Sequence, residues 1–83
     1  MYHLYILKCA DGTLYTGITT DLARRVGEHN GKGAKKLGAK YTQARRPVKL
    51  VYAEAFPNRS SASIAESRLK KLTKLAKLEL IKN

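Results

Sequence analysis

"LYTGITTDLARRVGEH", residues 14–29, changes its pattern in the middle. Thr13 to Ile18 reads as a strand, whereas Leu22 and Val26, four apart, carry the apolar side of a short helix from Leu22 to Asn30. Thr20 or Asp21 stands where an N-cap belongs, and Asn30-Gly31 stands where a helix stops. This strand-to-helix join brings Tyr15, Gly17, Arg25 and His29 close together in the chain.

Upstream, "YHLYILKC" (residues 2–9) is rich in aromatic and branched residues, and Asp11-Gly12 follows it as a hairpin signal. The hairpin has two readings. A two-residue Asp11-Gly12 loop pairs Lys8 with Tyr15 and Tyr5 with Ile18, sending Tyr5 and Tyr15 to opposite faces. A three-residue Ala10-Asp11-Gly12 loop, with Gly12 left-handed, pairs Leu7 with Tyr15 and Tyr5 with Gly17, so both tyrosines share a face.

Downstream, the glycines at 31, 33 and 38 and Pro47 bracket a basic stretch with little apolar material, which predicts a mobile loop. "VKLVYAEAF" (48–56) alternates as a third strand, closed by Pro57-Asn58. From Ser60 the spacing becomes helical, with Ala62, Ala65, Leu69 and Leu72 as one stripe, and Thr73 caps a last helix ending near Ile81. The order β-β-α-β-α-α predicts an α+β fold: a small three-stranded antiparallel-type sheet flanked by helices.

The chain has 83 residues, enough for one small domain and one modest core. Its 17 Lys and Arg against 6 Asp and Glu give a formal charge of +11, beyond what solubility needs, and imply an anionic partner, with nucleic acid foremost. Gly31 to Lys49 concentrates this charge in Lys32, Lys35, Lys36, Lys40, Arg45, Arg46 and Lys49, with no acid among them. The single cysteine, Cys9, allows no internal disulfide and reads as a core residue, which points to a reducing compartment. No apolar run is long enough for a signal peptide core or a membrane span, so a cytoplasmic location is expected.

Few residues are left to carry chemistry. Asp21, Arg25 and His29 are each four apart, so they line one helix face. Arg25 offers a planar fork for a phosphodiester, and His29 can donate one hydrogen bond or move a proton near neutral pH. The plain alternative is an exposed Asp21–Arg25 pair. On a helical wheel Glu66 lies about 40° from Ala62 and about 60° from Leu69, at the border of the apolar stripe. There it either pairs with Lys70 or faces a cleft where it can hold a hard divalent cation. Tyr5 and Tyr15 are either core residues with a wet tip or part of a site. No zinc pattern, Walker loop, acyl-transfer triad or dinucleotide fingerprint occurs.

In these residues the chain resembles the GIY-YIG nuclease superfamily, in particular its small stand-alone bacterial members. The segments that carry the likeness are "HLYILKC" (3–9), "LYTGITTDLARRVGEHNGKGAK" (14–35) and "AESRLKKLTK" (65–74), and it spans nearly the whole chain as one domain over 1–83. By this resemblance Tyr5 matches the tyrosine of the first family triplet, and Tyr15 and Gly17 match those of the second. Arg25 matches the essential arginine, His29 the helix histidine and Glu66 the metal-binding glutamate. His3 and Leu4 stand where the first triplet has Gly and Ile, and Thr16 fills the middle of the second. Relatives also carry a late asparagine; Asn58 and Asn83 are poor matches to it.

The resemblance implies hydrolysis of DNA phosphodiesters with Mg²⁺ or Mn²⁺ at Glu66, Arg25 stabilising the pentavalent phosphate and a tyrosine orienting or deprotonating the attacking water. Tyr5 and Tyr15 compete for that last role, and a phenolate base requires nearby cations to favour it. Lys32, Lys35, Lys36, Lys40, Arg45 and Arg46 are the expected backbone contacts, giving salt-sensitive binding without sequence preference. The expected function is a structure-selective DNA endonuclease in repair or processing, with RNA as a further substrate class. The alternative is a nucleic-acid-binding accessory module without turnover. Attachment to acidic membranes is disfavoured because the core needs the apolar face of the last helices.

Overall fold

The turn at Gly12 decides which face each strand residue takes. In a computed structural model, which describes residues 1–30 and 45–82, Gly12 has φ +85°, the left-handed conformation that glycine adopts without steric cost. Its N–H donates to the Cys9 carbonyl at 2.9 Å, and the Cys9 N–H donates to the Thr13 carbonyl at 2.8 Å. Asp11 stiffens the loop by accepting from the Thr13 N–H and hydroxyl, at 3.1 and 2.6 Å. The three-residue loop is therefore the one adopted. β1 (Tyr2–Lys8) and β2 (Leu14–Thr19) pair antiparallel with Leu7 opposite Tyr15 and Tyr5 opposite Gly17.

β3 (Lys49–Phe56) adds antiparallel to the other edge of β1, giving the order β2-β1-β3. The α+β class and the three-stranded antiparallel sheet are as expected. As the central strand, β1 buries four residues in a row, Leu4, Tyr5, Ile6 and Leu7, because helices cover both its faces. The pairing with β3 shifts between Ile6 and Leu7: Ile6 faces Tyr52, Leu7 faces Leu50, and Val51 is the extra residue of a bulge.

The helices divide between the faces. Leu4 and Ile6 pack with Leu69, Ala65, Leu80 and Ile81 from α2 (Arg59–Lys70) and α3 (Lys74–Lys82). On the opposite face Tyr5, Leu7, Cys9 and Val48 form a second cluster with Tyr15 and with Leu22 and Val26 of α1 (Leu22–His29). Cys9 is a buried core residue, as read from its setting.

The caps are local. Asp21 rather than Thr20 caps α1, its carboxylate accepting from the Arg24 N–H at 3.1 Å. Asn58 caps α2 through the Ser61 N–H at 2.8 Å, and Thr73 caps α3 through the Ala76 N–H at 3.2 Å. The expected stripe on α2 holds for Ala62, Ala65 and Leu69 but not for Leu72, which is 42% exposed because the helix ends at Lys70 and the phase is lost. The expected mobile loop, with Lys32, Lys35, Lys36 and Lys40, lies outside the described residues. Among the described residues, no helix is long and apolar enough to cross a membrane.

Candidate active site

The hairpin register puts Tyr5 and Tyr15 on the α1 side of the sheet, and the last residue of α1 meets them there. His29 is fully buried, and its Nε2 lies 3.0 Å from the Tyr5 hydroxyl. The Tyr15 and His29 rings are 5.0 Å apart between centroids, and the two tyrosine rings 6.5 Å. Tyr15 is only partly buried. Gly17 faces Tyr5 across the hairpin, where a Cβ would lie 2.6 Å from the Tyr5 hydroxyl oxygen. The missing side chain is the space the phenol occupies.

Arg25 sits one turn before His29, with its side chain 27% exposed. Its guanidinium hydrogen-bonds the Tyr5 hydroxyl, and its Nη1 donates to the Glu28 carboxylate at 3.0 Å. The plain alternative of an Asp21–Arg25 pair gives way to this contact, since the Asp21 carboxylate serves the helix cap. Sequence reasoning passed over Glu28, although its spacing of three from Arg25 and four from Arg24 was the available signal. It also passed over the Asn30 side chain, which donates to the Val48 carbonyl at 3.1 Å and accepts from the Val48 N–H at 2.7 Å. That pair of bonds ties the end of α1 to the start of β3.

Burial sets the charge state of the centre. Desolvation, aided by the Arg25 charge, lowers the His29 pKa from 6.5 to about 4, so its imidazole is neutral at neutral pH. This departs from the expected proton carrier near neutrality. Being wholly enclosed, His29 also does not grip an outer anion beside Arg25 as expected; it supports Tyr5 from below. Burial raises the Tyr5 pKa, and the opposing Arg25 hydrogen bond is the smaller effect. The phenol is thus protonated in this state, and the condition set for a phenolate base is not met at Tyr5.

Glu66, on α2, contributes to the electrostatic environment of Tyr5. Its carboxylate is 23% exposed and lies 3.4 Å from the Lys70 ammonium, so the pairing alternative for Glu66 is present here. Among the described residues, no three His, Cys, Asp or Glu gather as a metal cage. A single carboxylate open to solvent suits a hard cation such as Mg²⁺, which keeps most of its waters and needs few protein oxygens. Of the expected backbone contacts, Arg45 and Arg46 are partly engaged in the fold: Arg45 pairs with Asp11 at 3.0 Å, and Arg46 Nε donates to the His29 carbonyl at 2.6 Å. Asn58, one of the two late asparagines, is the α2 cap, and Asn83 lies outside the described residues.

Comparison with known proteins matches this arrangement to a family. The model of the GIY-YIG catalytic domain matches residues 1–79. A UPF0213 protein of Streptococcus agalactiae is 54% identical over 81 residues, covering 96% of this chain and 86% of that protein. A UPF0213 protein of Halobacterium salinarum is 48% identical over 77 residues, covering 93% of this chain and 95% of that protein. The solution NMR structure of the UPF0213 protein BH0048 from Bacillus halodurans superposes with a TM-score of 0.61 at 39% identity, covering 99% of this chain and 84% of that one. The residues of the tyrosine face thus lie within the matched domain, and the chain belongs to the GIY-YIG family, within the nuclease superfamily.

Proposed function

We propose that this protein hydrolyses phosphodiester bonds of DNA at the tyrosine face, as a structure-selective endonuclease in DNA repair or processing. The observation that carries the reading is the Tyr5 hydroxyl held between neutral His29 at 3.0 Å and the Arg25 guanidinium. Such a network fixes a cation at the mouth of a buried polar centre, where a phosphate can meet it.

In this reading Arg25 binds the scissile phosphate, because its planar fork is partly exposed and matches phosphate oxygens in shape and charge. Charge that builds on the phosphate oxygens in the pentavalent state is met by that fork. Glu28 and Tyr5 keep the guanidinium from swinging away. Tyr15, the less enclosed phenol, contacts the attacking water, while Tyr5 and His29 form the support beneath. The water oxygen forms the new P–O bond as the bond to the leaving oxygen breaks, the water giving up a proton to the solvent at the open Tyr15 side and the leaving oxygen taking one from it. Glu66, whose carboxylate pairs with Lys70 in this structure, would hold Mg²⁺ or Mn²⁺, and the ion would supply charge neutralisation at the leaving oxygen.

The test is cleavage of linear, single-stranded, flapped and branched DNA by the wild type and Glu66→Gln, with Mg²⁺, Mn²⁺ or EDTA. Metal-dependent cutting that the substitution abolishes is the expected result. Binding across the panel without cutting by either protein would overturn it in favour of an accessory module.

A further inference from the structure

A second concentration of charge lies on the other face of the sheet. Lys49, Lys8 and Leu14 are direct partners across β3, β1 and β2, and they form one row on the side of Leu4 and Ile6. Leu14 then lines a hollow of about 220 Å³ together with Thr13, Lys74 and Lys77. The row and the hollow bring four lysines to one end of this face. Tyr5, Tyr15 and His29 stand on the opposite side.

Two local electrostatic costs meet here. Lys8 and Lys49 are both exposed and directly opposed across the ladder, where like charges destabilise pairing. Lys74 and Lys77 occupy the first turn of α3, which has no acid, where the helix dipole disfavours cations. Among the described residues, none of the four ammonium groups has an ion-pair or hydrogen-bond partner. The acid at the adjacent turn, Asp11, is engaged by Arg45. Local costs gathered at one place without internal compensation mark a surface whose partner supplies the opposite charge.

We propose that Lys8, Lys49, Lys74 and Lys77 form a second phosphate-backbone surface that takes a second nucleic-acid segment, while the first lies on the tyrosine face. This rests on the nucleic-acid reading given above. A backbone suits the site better than a lipid surface, since phosphates projecting from a strand can enter a hollow that a flat layer of headgroups only spans. Because the two surfaces lie on opposite faces, one short duplex occupies one of them at a time. Branched DNA, whose arms diverge, reaches both.

The experiment is titration calorimetry at low salt with a DNA duplex of about eight base pairs, roughly 27 Å long. The wild type binds two duplexes per chain; Lys8→Gln/Lys49→Gln/Lys74→Gln/Lys77→Gln binds one, and the four Lys→Arg replacements restore two. Thermal melting checks the fold, and Lys8→Gln/Lys49→Gln melts at a higher temperature than the wild type at low salt. One duplex for both the wild type and the Gln variant, or two for both, overturns the second surface and leaves the tyrosine face standing. No duplex bound by either overturns the nucleic-acid reading itself. One duplex for both, with binding to phosphatidylserine vesicles lost only in the Gln variant, assigns the lysines to a membrane and overturns the proposal.

Discussion

The Tyr5 hydroxyl lies 3.0 Å from Nε2 of His29, and both side chains are almost wholly enclosed. A strand residue and a helix residue 24 positions apart thereby satisfy each other's polar atoms. Tyr5→Phe keeps the ring and removes the oxygen, leaving Nε2 without its partner and Arg25 without one of its acceptors. Thermal denaturation should show a loss of about 1–3 kcal/mol, the cost of a buried polar group left unpaired. Cleavage should fall by roughly a hundredfold, since the arginine is no longer held.

His29 gives the fold a pH dependence of definite sign. Its folded pKa, about 4, lies below the ordinary 6.5. Below 6.5 the unfolded chain takes up a proton that the folded chain resists, so the histidine's contribution is complete above 6.5 and declines as pH falls toward 4. Urea denaturation at about pH 7 and about pH 5 should differ by about 2 kcal/mol in the wild type. In His29→Gln that difference should largely disappear; an unchanged slope would mean that carboxylates, not His29, set it.

Two glycines should fail for different reasons. At Gly17 an alanine Cβ meets the Tyr5 phenol at 2.6 and 2.8 Å, so Tyr5 must leave its place between Arg25 and His29. Gly17→Ala is expected to lower stability by about 1–3 kcal/mol and to abolish cleavage. At Gly12 a Cβ meets nothing within 4 Å, and only the positive φ opposes it. Gly12→Ala should cost about 1–2 kcal/mol and leave cleavage by the folded protein intact. Melting curves paired with activity at a temperature where both variants are folded separate the two effects.

Glu66→Gln tests chemistry with little effect on the fold. Its pair with Lys70 is at the surface, so the change in stability should stay within about 1 kcal/mol. Cleavage should drop on the order of a hundredfold or more. Adding EDTA to the wild type should produce the same loss, and adding it to the variant should change little.

How much of this was legible from the residues follows the range of each interaction. The hairpin turn at Asp11-Gly12, the Thr73 cap and the helix from Leu22 depend on neighbours a few positions away, and their patterns are plain in the chain. The shared face of Tyr5 and Tyr15 remained open because one loop residue reverses it, and Gly12 resolves it only through its left-handed backbone. The family pattern pointed to Tyr5, Tyr15, Arg25, His29 and Glu66, yet it does not state charge. Burial does, because it is a property of the packed domain.

The sequence by itself determined the α+β class, the order of elements, the basic character and the family, since these rest on local propensity, composition and motif spacing. Only the tertiary structure decided that His29 is neutral beneath Tyr5, that Glu28 rather than Asp21 holds Arg25, and that Leu72 leaves the core. Each of these depends on which distant groups exclude water from a side chain, and that is set when sheet and helices close on one another.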